Sequence, residues 1–239
     1  MLFISKSICT KYTYHCGGNE IEPFYRKGIR NPCCFGHLLS CLHVAKDLLD
    51  KFQCRYWLDC ATLLGQFRHG GLLPWDLDID FSIFEEYAPL FLAKTAELQK
   101  KGFWICYRNI SDPPNTIRTD PNDFSGRLAV FKIQAGLLNK MHVDIYTCKK
   151  KDDVVIRANQ AWPAPQFPYE LVDDLEQINF HGFEINRPRN SERYLKFMYG
   201  DNFNKIPDHR IDDMKYFQTN FNKYKKVLNI NEDQYRFWP

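Results

Sequence analysis

The stretch Trp75-Asp76-Leu77-Asp78-Ile79-Asp80-Phe81-Ser82-Ile83-Phe84 alternates apolar and polar side chains from Trp75 to Ile83. That period of two predicts a strand with Trp75, Leu77, Ile79, Phe81 and Ile83 on one face and Asp76, Asp78, Asp80 and Ser82 on the other. One face is core and the other is acidic. Successive carboxylates on a strand face stand about 7 Å apart along the chain, and their repulsion costs stability unless a cation offsets it. A solvated strand face is the competing reading, since alternating charge is ordinary there. A calcium-binding EF-hand loop is excluded, because Phe81 stands where that loop needs Gly and Tyr87 where it needs Glu.

Upstream, Ala61 to Phe67 reads as a compact helix that Gly70 and Gly71 end, with Tyr56 to Asp59 as a short lead-in. Leu38, Leu42, Ala45, Leu49 and Phe52 recur at helical spacing and predict a scaffold helix over 37–52. Downstream, the pattern predicts a helix over 87–101, a strand over 103–107 and a loop over 111–126 placed beside the acidic face. Two strands over 128–134 and 141–147 form a hairpin, with Met141, Val143 and Ile145 inside and His142, Asp144 and Tyr146 facing the other way. The Pro-rich connector 161–168 cannot join a central strand. A helix over 191–199 ends at Gly200, and no clean period follows it.

The hairpin supplies a third acid. Asp144 on a neighbouring strand can converge with Asp78 and Asp80, and hard divalent cations such as Mg²⁺ or Mn²⁺ take oxygen ligands while leaving positions for substrate phosphate. Asp76 is a supporting carboxylate. The start of the helix before the acidic strand presents backbone N–H groups suited to phosphate oxygens, with Thr62 at that start and Arg68 near its end. Arg68 is either a phosphate clamp or a solvated helix-end cation. Arg118, Arg127 and Lys132 are further cations from the loop and hairpin, and His142 reads as a hydrogen-bonded strand histidine. Asn109-Ile110-Ser111 forms a glycosylation sequon.

The whole chain sets the bounds. Its 239 residues, 44% of them hydrophobic, suffice for one substantial core, and a net charge of +3 gives no ground for nucleic-acid binding. No apolar run approaches the roughly 20 residues that cross a bilayer. Nine cysteines favour a lumenal compartment or a bound metal. The Cys-rich segment 1–36 has no sustained period and needs a staple, whereas 37–239 forms the main domain.

The run Trp57-Leu58-Asp59-Cys60-Ala61-Thr62-Leu63-Leu64-Gly65-Gln66-Phe67-Arg68-His69-Gly70-Gly71-Leu72-Leu73-Pro74-Trp75-Asp76-Leu77-Asp78-Ile79-Asp80 resembles the signature of the LicD family. His142-Val143-Asp144-Ile145-Tyr146 is similar to the family's third-Asp strand, and Tyr199-Gly200-Asp201-Asn202-Phe203 to its closing motif. Ala61 departs from the Gly usual in the family. The resemblance implies an α+β nucleotidyltransferase fold like that of the DNA polymerase beta superfamily, a mixed sheet flanked by helices. It implies transfer of an alditol phosphate, such as ribitol 5-phosphate, or of phosphocholine from a CDP-linked donor to a glycan or glycoprotein hydroxyl. Asp78, Asp80 and Asp144 would be the catalytic acids and, with Asp76, the Mg²⁺ or Mn²⁺ ligands, and Thr62, Gly65 and Arg68 the donor contacts. Cys9, Cys16, Cys33 and Cys34 repeat an order that forms a zinc loop in one branch of the family, with a pair of disulfides as the alternative. The resemblance also implies a Golgi or ER lumenal setting. Two other functions fit the same residues: an Asp-x-Asp, Mn²⁺-dependent glycosyltransferase, and a catalytically silent glycan- or partner-binding module.

Overall fold

The computed structural model describes residues 32–76, 78–113, 116–124, 127–135, 141–158 and 165–230. Cys9 and Cys16, half of the cysteine set considered for zinc, lie outside them. Helix α1 (Pro32–Lys51) places Phe35, Leu38, Leu42, Ala45 and Leu49 in the core. It includes Gly36, and Phe35 in its first turns already lies in the core. After β1 (Tyr56–Leu58) comes α2 (Cys60–His69), which ends on Gly70 at a left-handed φ of 81°, its N–H bonded to Gln66 O. Only a residue without a Cβ adopts that conformation at no steric cost.

Strand β2 (Asp78–Phe84) is shorter than its alternation suggested. Pro74 and Trp75 form a turn, and the Asp76 N–H bonds back to Leu73 O, so Asp76 precedes the strand while its charge still acts on Asp80. The helix expected over 87–101 is two pieces, α3 (Ala88–Leu92) and α4 (Thr95–Lys100). The Thr95 hydroxyl donates to Leu92 O at 2.7 Å, taking a carbonyl that a continuous helix would use.

Strands β3 (Phe103–Asn109), β4 (Leu128–Ala135) and β5 (His142–Lys151) complete a mixed sheet in the order β1-β2-β5-β4-β3. Only β2 and β5 run parallel within that path. The far half of β5 carries β6 (Val154–Arg157), and β7 (Gln166–Pro168) pairs with β6 at the edge, where the Pro-rich connector can sit. The loop over 111–126 leaves the sheet after Asn109 and returns at Leu128, at the end of the strands remote from Asp78 and His142. It is therefore rooted away from the acidic rung, contrary to expectation.

A second hairpin, β8 (Leu175–Phe180) and β9 (Phe183–Pro188), turns through His181 and Gly182, with φ of 53° and 88°. Two positive φ values in a two-residue loop match the twist of antiparallel strands. Helix α5 (Ser191–Tyr199) ends at Gly200 as expected. Beyond it, α6 (Asp208–Thr219) and α7 (Phe221–Leu228) bury Phe217, Phe221, Tyr224 and Leu228, and Tyr224 meets Phe35 of α1 edge to face at 5.9 Å. Helix α1 thus covers the apolar face carrying Ile79, Phe81, Phe131, Ile133, Val143 and Ile145. The opposite face is left for polar groups.

Candidate metal centre

Register assembles the polar face. Asp80 stands beside Asp144 across the parallel β2–β5 pair, Asp78 beside His142, and Lys132 of β4 beside Asp144 on its other side. Side-chain alternation then points Asp78, Asp80, His142, Asp144 and Lys132 the same way. Ligand atoms of Asp78, His142 and Asp144 all lie within 4.8 Å of one another. His142 Nε2 is 3.2 Å from Asp144 Oδ1 and 3.7 Å from Asp78 Oδ2.

Asp80 and Asp144 are each only 4% exposed, which is rare for carboxylates without compensation. Burial first, and then the charges of Asp78, Asp76, Asp144 and Asp59, push the Asp80 carboxyl well above its usual pKa. Asp144 moves the other way: burial raises its pKa, but hydrogen bonding and charge from His142, followed by Lys132, outweigh that and hold it below the usual value. Tyr146 adds a hydroxyl 3.3 Å from Asp144 Oδ2. Asp144 Oδ1 is buried and faces two positively charged or ring nitrogens, Lys132 Nζ at 2.9 Å and His142 Nε2 at 3.2 Å. Two carboxylates and an imidazole that converge in this way fit a divalent ion.

Asp80 is held from behind. Its N–H donates to Thr62 Oγ1 at 2.9 Å, the Thr62 hydroxyl lies 3.4 Å from Asp80 Oδ2, and Asp80 O accepts from the Asp59 N–H at 3.0 Å. Thr62 is fully buried, and its hydroxyl is engaged with Asp80. Gly65 lies against the chain that follows α2. A Cβ there would stand 2.7 Å from Gly71 O and 2.9 Å from Leu73 N, which makes it the place where the chain crosses over α2. Arg68 is 5% exposed and donates to Phe203 O and Lys205 O, tying α2 to the closing motif.

The start of α2 is closed by a buried network that sequence reasoning missed. Arg157 and Asp59, 2% and 1% exposed, pair at 2.7 Å. Tyr194 accepts from Arg157 Nη2 at 2.7 Å and donates to Asp59 Oδ1 at 2.7 Å, and Ser82 Oγ donates to Asp59 Oδ2. Burial raises the Asp59 pKa, but the Arg157 charge and these bonds carry it below the usual carboxylate value. The Asp59 carboxylate also caps α2, accepting from the Cys60 N–H, where negative charge suits the helix start. Arg118 and Arg127 are likewise engaged, with Asp112 at 2.8 Å and Glu85 at 2.6 Å. Asn109 is 1% exposed, so its sequon does not present a surface acceptor.

Comparison with known proteins follows the same residues. The family model described as LicD/FKTN/FKRP, nucleotidyltransferase domain, matches residues 53–190, more than half of the 239 residues and spanning both acidic strands. The Homo sapiens "Ribitol 5-phosphate transferase FKRP" is 26% identical over 206 residues, covering 80% of this chain and 38% of its own. The Mus musculus protein of the same name is 25% identical over 215 residues, covering 84% and 40%. The chain thus spans about two fifths of the length of these relatives. Among solved structures, the lincosamide antibiotic adenylyltransferase LnuA, lincomycin-bound, is similar with a TM-score of 0.40 and 14% identity, covering 80% of this chain and 97% of that one.

Proposed function

From the premise that this chain belongs to the LicD/FKTN/FKRP nucleotidyltransferase-domain family, we propose that it is a divalent-metal-dependent transferase moving an alditol phosphate from a CDP-activated donor to a glycan hydroxyl. The observation that carries this reading is the placement of Asp80 and Asp144 on one rung of parallel strands, with Asp78 and His142 on the next. Phosphocholine is the other donor group compatible with the family. The ribitol 5-phosphate transferases covering most of this chain favour the alditol.

Asp78, Asp144 and His142 would hold the ion, with Asp80 turning from Thr62 to join them. A bound divalent cation supplies charge neutralisation at the transferring phosphate and acidifies an attacking hydroxyl. The chain's own work is positioning. Thr62 and the Asp59 N–H fix the strand position of Asp80, Tyr146 and Lys132 fix Asp144, and the buried Arg157–Asp59 pair anchors the helix that carries Thr62. In the proposed transfer the acceptor oxygen forms a new P–O bond to the distal phosphorus of the donor. The bond to the bridging oxygen breaks, CMP leaves, and the acceptor proton passes to solvent or to a carboxylate of the cluster. No covalent enzyme intermediate is needed, because orientation and electrostatics account for such chemistry.

The family setting also supports a lumenal, Golgi location and a zinc-stapled segment ahead of α1. No described helix is long and apolar enough to cross a membrane. The test is product analysis by ³¹P NMR with CDP-ribitol, CDP-choline and an acceptor glycan. Release of CMP with a new phosphodiester resonance is expected. A plain glycosidic product from a nucleotide sugar would instead favour the glycosyltransferase reading, and saturable donor binding without turnover a silent module.

A further inference from the structure

Lys132 occupies an unusual position. Its Nζ lies 2.9 Å from Asp144 Oδ1, 3.0 Å from Asp144 Oδ2 and 2.9 Å from His142 Nε2. These are two of the three groups whose ligand atoms converge as a metal set. An ammonium has donors only, and at this distance it occupies the Nε2 side of His142 that a metal ion would use. The same holds for Asp144: Lys132 neutralises the carboxylate that an ion would coordinate.

The exposures differ. The Lys132 side chain is 34% accessible and that of Asp144 only 6%. Lys132 reaches in from the rim on a flexible stem and can withdraw into solvent, whereas Asp144 has nowhere to go. Among the described residues of the loop, Arg118 is paired with Asp112, and Arg127 beside it is paired with Glu85.

We propose that Lys132 is the resident counter-cation of this centre: it holds Asp144 and His142 in ligand geometry until a divalent ion displaces it, and the displaced ammonium then binds the donor's diphosphate. The inference rests on the reading of the cluster as a cation site. It gives the centre an order of events, ion first and nucleotide second, because the phosphate partner is released only when the ion arrives. It also accounts for a buried carboxylate that stays organised before loading.

The experiment titrates Mn²⁺ into the full chain, followed by EPR of the free ion, for the wild type, Lys132→Met, Lys132→Gln and Asp144→Asn. CDP is then titrated by calorimetry at saturating Mn²⁺. Without nucleotide, both Lys132 variants should bind Mn²⁺ about tenfold more tightly, since a competing positive charge is gone. With Mn²⁺ saturating, they should bind CDP about tenfold more weakly, having lost a phosphate partner. Thermal melts should show the Lys132 variants below the wild type without ion and rising more than it does on Mn²⁺ addition, which also establishes that they fold. Unchanged or weaker Mn²⁺ binding by both folded variants, beside normal binding by the wild type, overturns the displacement while leaving the cation site standing. Absence of Mn²⁺ binding by the wild type removes the cation site itself and the inference with it.

Discussion

Asp80 and Asp144 are direct neighbours across parallel strands β2 and β5, and each is 4% exposed. Two carboxylates so placed repel, and burial sharpens the repulsion. The chain answers this unevenly. Asp144 has Lys132 and His142 beside it, whereas Asp80 receives the Thr62 hydroxyl. The raised pKa of Asp80, caused by burial and then by its acidic neighbours, marks where a positive charge is wanted.

Asp80→Asn should therefore stabilise the metal-free protein while removing its function. Neutralising the side chain relieves a buried charge, so a rise in Tm of a few degrees, about 1 kcal/mol, is expected together with loss of transferase turnover. Melting curves with EDTA and activity assays on the same preparation check both. A lower Tm without metal would show that the carboxylate is already satisfied within the chain.

The Arg157–Asp59 pair predicts a stability effect away from the phosphate chemistry. Removing Arg157 alone leaves an uncompensated carboxylate at 1% exposure, and such losses cost about 3–5 kcal/mol. Arg157→Met should shift the urea midpoint strongly, and the double variant Arg157→Met/Asp59→Asn should lose less than the sum of the single changes. Additive losses would mean the pair is not coupled.

Gly65→Ala distinguishes packing from donor contact. The added methyl would meet Gly71 O and Leu73 N, both backbone atoms that cannot rotate away. A loss of about 1–3 kcal/mol is expected, with CDP affinity per folded molecule unchanged. Weakened CDP binding at full stability would return Gly65 to the donor site.

His181 makes the fold acid-sensitive. Its Nε2 accepts from the Leu72 N–H at 3.0 Å and its Nδ1 contacts Leu228 O at 2.7 Å, joining the chain after α2, the β8–β9 turn and the end of α7. Burial lowers its pKa from 6.5 to about 4. Between those values the unfolded chain takes up a proton that the folded one refuses. Stability contributed by the neutral ring is complete above pH 6.5 and falls as pH drops toward 4, by about 3 kcal/mol in all. Urea midpoints from pH 7 to pH 4.5 should decline more steeply for the wild type than for His181→Asn, which tolerates the left-handed backbone. Equal slopes would exclude the ring as the sensor.

Much of this was legible in the sequence because it rests on periodicity. The alternation through Asp78 and Asp80, the hairpin carrying Asp144, and the Gly70 and Gly200 stops emerged where local pattern and tertiary environment agree. What escaped was set by partners distant in the chain. Thr62, Gly65 and Arg68 sit on the expected helix, but contacts to Asp80, to Leu73 and to Phe203 commit them elsewhere. Asp59 and Arg157 looked unremarkable because nothing local marks a pair 98 positions apart by number (157 − 59). Phe217, Phe221, Tyr224 and Leu228 did carry a helical stripe, interrupted at Asn220 where α6 ends.

The central claim is that the cluster of Asp78, Asp144 and His142, with Asp80 beside it, holds a divalent ion. Crystals of the chain soaked in Mn²⁺ and measured at the manganese absorption edge test it most directly. An anomalous peak within about 2.5 Å of oxygens from Asp78 and Asp144 is the predicted result. A map with manganese bound elsewhere and nothing between those two side chains would contradict the account.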